Sequence, residues 1–174
     1  MSRKLVKLSL TAAVLIAGTA LVAVAQNKTA TFEGKTAPSF KLKITDGTTA
    51  TNASLKGKVV LLDFWATWCG PCKKASPTMQ NLHKTYSSKG LKVIGVSVME
   101  EEKGKAGVVK YKTDHKYTYP FAYEGDDLAK SLKVSSIPQF VLIDKKGKIV
   151  KTWEGYSESI MGDITAKVKA EIAK

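Results

Sequence analysis

The spacing of apolar residues divides the chain into alternating extended and helical stretches. Residues 40–44 alternate between apolar and lysine side chains, which is typical of a strand with one buried face. A second short strand is predicted within Thr48 to Ser54. Val59 to Phe64 is apolar throughout except at Asp63, as expected of a central strand that helices cover on both sides. We therefore expect a short N-terminal strand extension ahead of a buried central strand.

Helical and extended patterns continue to alternate after the central strand. A helix is expected from about Pro71 to Ser88, and Pro77 within it should produce a kink. The later elements are predicted as a strand over 92–99, a helix over 100–117, an extended segment over 119–123, a helix from Asp126 to about Leu132, a strand over 139–143, a hairpin return over 148–153, and a last helix from Ser157. This order predicts an α/β fold with a central mixed sheet flanked by helices.

The first 25 residues have the composition of a secretory signal peptide. A basic start at residues 3–7 precedes an uncharged apolar stretch, Leu8 to Val22, and small residues follow up to Ala25. Cleavage there would leave a flexible lead-in over 26–36 and one domain over 37–174, in the periplasm or another extracytoplasmic compartment. The alternative is an uncleaved membrane anchor, although the apolar stretch is short for a span of about 20 residues.

The chain is basic, with 28 lysines and arginines against 15 acidic residues and a net charge of +13. The lysines are scattered along the sequence. They lack the interleaved aromatic residues of a surface that binds nucleic acid, so no nucleic-acid partner is expected.

The two cysteines of the chain, Cys69 and Cys72, follow the central strand and open the first predicted helix. A helix start favours a thiolate through its backbone N–H groups and dipole. A four-residue loop gains little stability from a disulfide, so a redox pair is favoured over a structural crosslink. A zinc site would need further ligands, and neither His83 nor His115 is near the pair in sequence. We expect an exposed Cys69 to attack a partner disulfide and the deeper Cys72 to resolve the mixed disulfide.

Three further residues are candidates for the site. Burial in an apolar strand should raise the pKa of Asp63, which could then exchange protons with Cys72; the alternative is an acid on a partly wet face. Pro138 lies at the entry to an apolar strand. It either adopts a special backbone conformation there or is an ordinary trans proline at the strand start. Trp68 is expected to be exposed and to suit the docking of a protein substrate, whereas Trp65 is expected in the core.

Two stretches of the chain, Val59 to Cys72 and Ser136 to Gln139, resemble the active site of the thioredoxin superfamily. The resemblance implies a thioredoxin fold, an attacking Cys69, a resolving Cys72, the buried acid Asp63 and a cis Pro138 that faces the disulfide. It also implies the substrate-binding residues Trp68, Gly70, Pro71 and Ile137. No cofactor and no metal are expected apart from the redox-active disulfide.

The signal peptide, the segment at 37–40 and the inserted helix–strand segment at 100–123 resemble the TlpA/ResA-like branch of that superfamily. This resemblance implies an exported protein that reduces disulfides in protein partners, for example in cytochrome c maturation, and is reduced in turn by a membrane or extracytoplasmic thiol donor. Many branch members carry a glutamate at the position of Ala75 and a neutral residue at that of Asp63. Gly70-Pro71 and Ile137 are the combination of reducing members, so a reductase is expected. The protein is also expected to be a monomer.

Two alternatives come from other functional classes. A thiol peroxidase of the peroxiredoxin type shares the fold and a similar lead-in, but its Pro-x-x-x-Thr-x-x-Cys pattern is absent from the sequence. A non-catalytic binding or chaperone module would keep the fold with an inactive cysteine pair. Trapping of mixed disulfides by a Cys72 variant separates the leading hypothesis from the second alternative.

Overall fold

The computed structural model describes residues 31–101 and 104–174, so the predicted signal peptide and the first part of the lead-in lie outside the described residues. The elements in chain order are β1 (Lys41–Ile44), β2 (Thr49–Thr51), β3 (Val59–Trp65), α1 (Gly70–Tyr86), β4 (Leu91–Ser97), α2 (Ala106–Asp114), β5 (Phe121–Tyr123), α3 (Asp126–Ser131), β6 (Gln139–Ile143), β7 (Ile149–Glu154) and α4 (Glu158–Ile172). No helix within these residues is long and apolar enough to cross a membrane.

The strands form one mixed sheet in the order β2-β1-β5-β4-β3-β6-β7. β3 is parallel to β4 and antiparallel to β6, and all seven of its residues are buried. β1 and β2 extend the sheet as an antiparallel pair beyond β5. The predicted α/β architecture is therefore confirmed, including the strand extension and the inserted segment of α2 and β5.

Helices cover both faces of the sheet, because successive apolar side chains of β3 point to opposite faces. Leu61 and Trp65 belong to the core layer that contains residues of α1, α2 and α4, whereas Leu62 and Phe64 belong to the layer that contains residues of α3. A residue of β3 with odd number therefore points toward α1. This face is the one on which the cysteines lie.

The inserted helix is shorter than predicted, since it covers Ala106–Asp114 and not 100–117. Met99 has a positive φ of 56° and Gly104 a φ of 122°, which are not helical conformations. The next helix, α3, has Gly125 as its N-cap, and the Asp126 carboxylate accepts the N–H of Met99 at 2.9 Å.

Residues 31–36, predicted to be part of a flexible lead-in, are held against β7. The N–H of Gly34 donates to the carbonyl of Ile149 at 2.8 Å, and the N–H of Ile149 donates to the carbonyl of Lys35 at 2.9 Å. The Glu33 carboxylate accepts the N–H of Thr152 at 2.8 Å. The prediction of flexibility was wrong for this part, because a polar segment can still pair with the backbone of an edge strand.

Candidate active site

The turn between β3 and α1 places both cysteines at the start of the helix. Cys69 is the N-cap with extended φ and ψ, and its Sγ accepts the N–H of Cys72 at 3.2 Å. Pro71 lies in the first turn, where its missing N–H leaves no bond unmade. The two sulfurs form a disulfide with a Cα–Cα distance of 5.3 Å. The pair therefore lies where backbone amides and the helix dipole favour negative charge on sulfur.

Cys69 is buried, contrary to the prediction that it would be exposed. The residue is 3% exposed and Cys72 is 1% exposed. Cys69 is turned inward because its sulfur bonds to Cys72, and both belong to the core layer over α1. The exposed residues at this helix start are instead Trp68, Gly70 and Pro71.

Strand register brings Pro138 to the same end of the sheet as the cysteines. Gln139 pairs with Phe64 in the antiparallel ladder of β3 and β6, so Pro138 lies across from the end of β3. The Ile137–Pro138 peptide bond is cis, as the resemblance implies. Ile137 is partly buried and packs against the core layer that contains Cys69 and Cys72.

Asp63 is buried in the middle of β3, at 1% exposure. It lies between Leu61 and Trp65 in the alternation of the strand and therefore points toward α1. Burial raises the pKa of its carboxyl group to about 8. Its Oδ1 has no hydrogen-bond partner among the residues that the structure describes. The predicted buried acid is confirmed, and near neutral pH it is mostly in its protonated, uncharged form.

A glutamate that the sequence analysis did not single out holds the segment before Cys69. The Glu100 carboxylate accepts the N–H of Thr67 at 2.9 Å, the hydroxyl of Thr67 at 2.6 Å and the hydroxyl of Ser97 at 2.7 Å. Parallel strands β3 and β4 end at the same edge, so a polar residue just beyond β4 could have been expected here. Glu100 thus links the ends of these two strands.

Two large apolar side chains are exposed beside the cysteines. Trp68 is 53% exposed and Met99 is 38% exposed. The indole N–H of Trp68 donates to the Met99 carbonyl at 2.9 Å, which fixes the position of the ring. The predicted exposure of Trp68 is confirmed, as is the predicted burial of Trp65. Exposed apolar surface of this kind next to a reactive centre is typical of a site that binds another protein.

Known proteins share both the sequence and the fold. A family profile described as Redoxin matches residues 32–166. The chain is 36% identical over 149 residues to the thiol-disulfide oxidoreductase ResA of Bacillus subtilis (strain 168), an alignment that covers 84% of this chain and 82% of the relative. It is 37% identical over 117 residues to the thioredoxin-like protein YneN of the same organism, covering 67% and 68% of the two chains.

A solved structure has a similar fold. The crystal structure of a thiol:disulfide interchange protein, a thioredoxin family protein from Chlorobium tepidum TLS, superposes with a TM-score of 0.68 at 29% identity. The superposition covers 79% of this chain and 95% of that one. The sequence and the structure therefore point to the same family.

Proposed function

The chain belongs to the Redoxin family and is a thiol-disulfide oxidoreductase with a thioredoxin fold, and on that premise we propose that it reduces disulfides in protein partners outside the cytoplasm. The observation that carries the proposal is the position of the Cys69 sulfur, which accepts a backbone N–H at the start of α1. In the reduced protein the same position stabilises the Cys69 thiolate, which is the attacking species in disulfide exchange.

The first half of the reaction forms a mixed disulfide. The Cys69 thiolate attacks one sulfur of the partner disulfide, a new S–S bond forms, and the old one breaks. The leaving sulfur departs as a thiolate and takes a proton from water. Because Cys69 is buried in the disulfide form, we expect the partner to approach over the exposed Trp68, Gly70 and Pro71.

The second half closes the Cys69–Cys72 bond. In the molecules whose Asp63 is ionised, the Cys72 thiol gives its proton to the Asp63 carboxylate, and the resulting thiolate attacks Cys69. The mixed disulfide breaks and the partner leaves with two electrons as a reduced dithiol. Asp63 suits this role because it lies on the α1 face of β3 and its pKa is raised to about 8 by burial, close to working pH.

The location and the electron donor belong to the same proposal. The composition of residues 1–25 supports export, and a thiol donor in the membrane or the same compartment would return the disulfide to the dithiol. A dedicated role in cytochrome c maturation is less favoured, because Ala75 and Asp63 depart from the pattern of the TlpA/ResA-like branch. The partner set is therefore proposed to be general.

The experiment is a comparison of Cys69→Ser and Cys72→Ser in the full chain. With a disulfide-bonded protein substrate and dithiothreitol, we expect both variants to lose turnover. Cys72→Ser should accumulate a mixed disulfide through Cys69 that a thiol releases, whereas Cys69→Ser should accumulate none. Full activity in Cys69→Ser, or no trapped species with Cys72→Ser, would contradict the mechanism. Peroxide consumption at a rate above disulfide reduction would instead favour the thiol peroxidase.

A further inference from the structure

A cavity of about 280 Å³ lies at the end of β3 that is farther from the cysteines. Val60, near the start of β3, lines the cavity together with Ile143, the last residue of β6. The two residues are paired in the sheet. Cys69 and Cys72 follow the other end of β3, so the cavity is separate from the redox site.

The interior of the cavity is apolar. Ala37, Leu55, Val60 and Ile143 line it, are each at most 8% exposed, and belong to the core layer that contains residues of α3. Phe40 is partly buried and packs against the same layer. Water in such a space finds few hydrogen-bond partners. An apolar group that replaces the water therefore gains the free energy of burial.

The walls of the cavity are held together by hydrogen bonds. The side chain of Asn52 accepts the N–H of Phe40 at 2.8 Å and donates to the carbonyl of Pro38 at 3.0 Å. The N–H of Gly57, in the loop before β3, donates to the carbonyl of Lys145, in the turn between β6 and β7, at 3.1 Å. The cavity is therefore formed before any ligand arrives, as is usual for small-molecule sites.

Three lysines surround this apolar interior. Lys56, Lys58 and Lys146 line the cavity and are exposed, and none of them forms an ion pair with a described residue. Asp144 is the one acidic residue of the lining, and its Oδ1 accepts the N–H groups of Lys146 and Lys148 at 2.8 Å each. The lining therefore has an excess of positive charge.

We propose that this cavity binds a small amphiphile with an apolar tail and an anionic head, of the class of medium-chain carboxylates. The tail lies against Leu55, Val60 and Ile143, and the head lies among the three lysines. Small-molecule sites usually have volumes of about 300–1,000 Å³, so a cavity of about 280 Å³ suits one short chain. The proposal goes beyond disulfide reduction and does not depend on it.

The charge of the chain argues against two other occupants. Residues 1–30 contain no acidic residue, and a second copy of the chain would bring a net charge of +13. Either would place positive charge near the lysines. A bilayer surface also fits less well, because the exposed large apolar residues of the described chain, Trp68 and Met99, lie at the active-site end. An anion with its own apolar tail satisfies both the lysines and the cavity.

The test is isothermal titration calorimetry of the oxidised full chain at pH 7 with hexanoate, octanoate and decanoate. Octyltrimethylammonium serves as the cationic ligand with the same tail as octanoate. Lys58→Gln and Lys146→Gln test the charge, and Ala53→Phe places a ring at an exposed position of the lining. Lys84→Gln is the matched control, because Lys84 is an exposed lysine of α1 that does not line the cavity.

We expect the affinity to rise by about fourfold for each added methylene, from about 0.8 kcal/mol per buried CH₂. Lys58→Gln and Lys146→Gln should each weaken octanoate binding by about two- to fivefold, as for loss of an exposed ion pair. Ala53→Phe should weaken it by about tenfold or more, because the ring competes with the tail for the same space. Lys84→Gln should bind octanoate as the wild type does.

Disulfide reduction and thermal unfolding of each variant show that it is folded. We expect all four variants to keep the activity of the wild type, since the cavity lies away from the cysteines. If Ala53→Phe does not fold, the lysine variants and the series of chain lengths decide. Loss of octanoate binding in an active variant, or its persistence in a protein without disulfide-reductase activity, separates this proposal from the proposed function.

Several outcomes would overturn the proposal. These are no heat of binding at millimolar decanoate, equal octanoate binding in the wild type and all folded cavity variants, and tighter binding of octyltrimethylammonium than of octanoate. Lysine-dependent sedimentation with phosphatidylglycerol vesicles, without octanoate binding, would assign the surface to a membrane. A dimer in analytical ultracentrifugation that Ala53→Phe abolishes would assign it to a second copy of the chain.

Discussion

Asp63 is a carboxyl group that the fold buries in the middle of its central strand. Its pKa is about 8 in the folded protein, because burial disfavours the charge, against an ordinary value of 3.8. In the unfolded chain the group ionises near pH 4. Between these two pKa values, ionisation of Asp63 stabilises the unfolded state, whereas the folded state stays mostly uncharged at this position. Stability is therefore lost as the pH rises from about 4 to about 8.

Replacement of Asp63 by Asn should remove this loss. Each pKa unit corresponds to about 1.4 kcal/mol, so the free energy of unfolding at pH 7 should rise by at most about 4 kcal/mol relative to the wild type. At pH 4 the gain should fall to about 0.5 kcal/mol, because the unfolded wild type is then only partly ionised at this position and the folded wild type is uncharged there. The measurement is urea unfolding of the oxidised proteins at pH 4, 7 and 9.

A surface carboxyl provides the comparison for this variant. Asp114 forms an exposed ion pair with Lys110 at 2.7 Å, and Asp114→Asn should change the free energy of unfolding by about 0.5 kcal/mol or less. A gain in Asp63→Asn that is the same at pH 4 and pH 9 would show that it does not come from the ionisation of Asp63.

The burial or exposure of a side chain was predictable where the residue stands out against its immediate neighbours. An acid inside an apolar strand and a tryptophan next to the cysteines are visible in the sequence. As predicted, Asp63 is buried and Trp68 is exposed. The burial of Cys69 was not visible, because it depends on how the turn packs. Glu100 was missed for a similar reason, since its contact with Thr67 joins residues 33 positions apart.

At the scale of elements, α3 packs closely on β4 only because its N-cap is a glycine. A Cβ at Gly125 would lie 2.2 Å from Cγ1 of Val96 and 3.0 Å from the carbonyl oxygen of Ser97. The N–H of Gly125 also donates to that carbonyl at 2.9 Å. The helix cannot move away without breaking this bond.

Gly125→Ala should therefore destabilise the protein by about 1–3 kcal/mol through overpacking. The matched control is Gly162→Ala in α4, where a Cβ meets nothing within 4 Å among the described residues. That change should stabilise by about 0.5–1 kcal/mol, because alanine is the better helix former. Denaturant unfolding of both variants measures the difference, and equal effects would contradict the close contact between α3 and β4.

The elements that the sequence predicted well are those with a strong apolar pattern. β6 has its predicted bounds, and β3 differs by one residue, because continuous apolar runs define a buried strand. The long helix predicted over 100–117 was the least accurate. Its first residues are fixed by contacts of Met99 and Glu100 with other elements, which local periodicity does not report.

For the whole molecule, the segment before β1 is part of the structured domain. Residues 33–35 bind the backbone of β7 through three hydrogen bonds to Ile149 and Thr152. We expect a variant that begins at Ala37 to lose about 2–3 kcal/mol of unfolding free energy relative to one that begins at Thr31, at about 1 kcal/mol for each bond. Thermal or urea unfolding of the two variants checks this. Equal stability would show that the segment only rests on β7.

The fold as a whole was predicted from the order of elements and from the motif around the cysteines. Alternating strands and helices limit the architecture to an α/β sheet, and the two matching stretches then specify the thioredoxin fold, which the comparisons confirm. The packing of residues 31–36 could not be predicted, because a short polar segment has no pattern of its own.

The same N-terminal segment limits how another polypeptide can join the molecule. At one edge of the sheet, residues 33–35 bind to β7. The strand at the other edge, β2, has only three residues. A partner therefore finds little open strand backbone for sheet augmentation. We therefore expect the protein partner of the proposed reaction to dock end-on, at the loops that follow β3 and precede β6. Such a contact would involve only a few residues on either side of the partner's cysteine, so the proposed reaction should favour partners in which that stretch is locally unfolded.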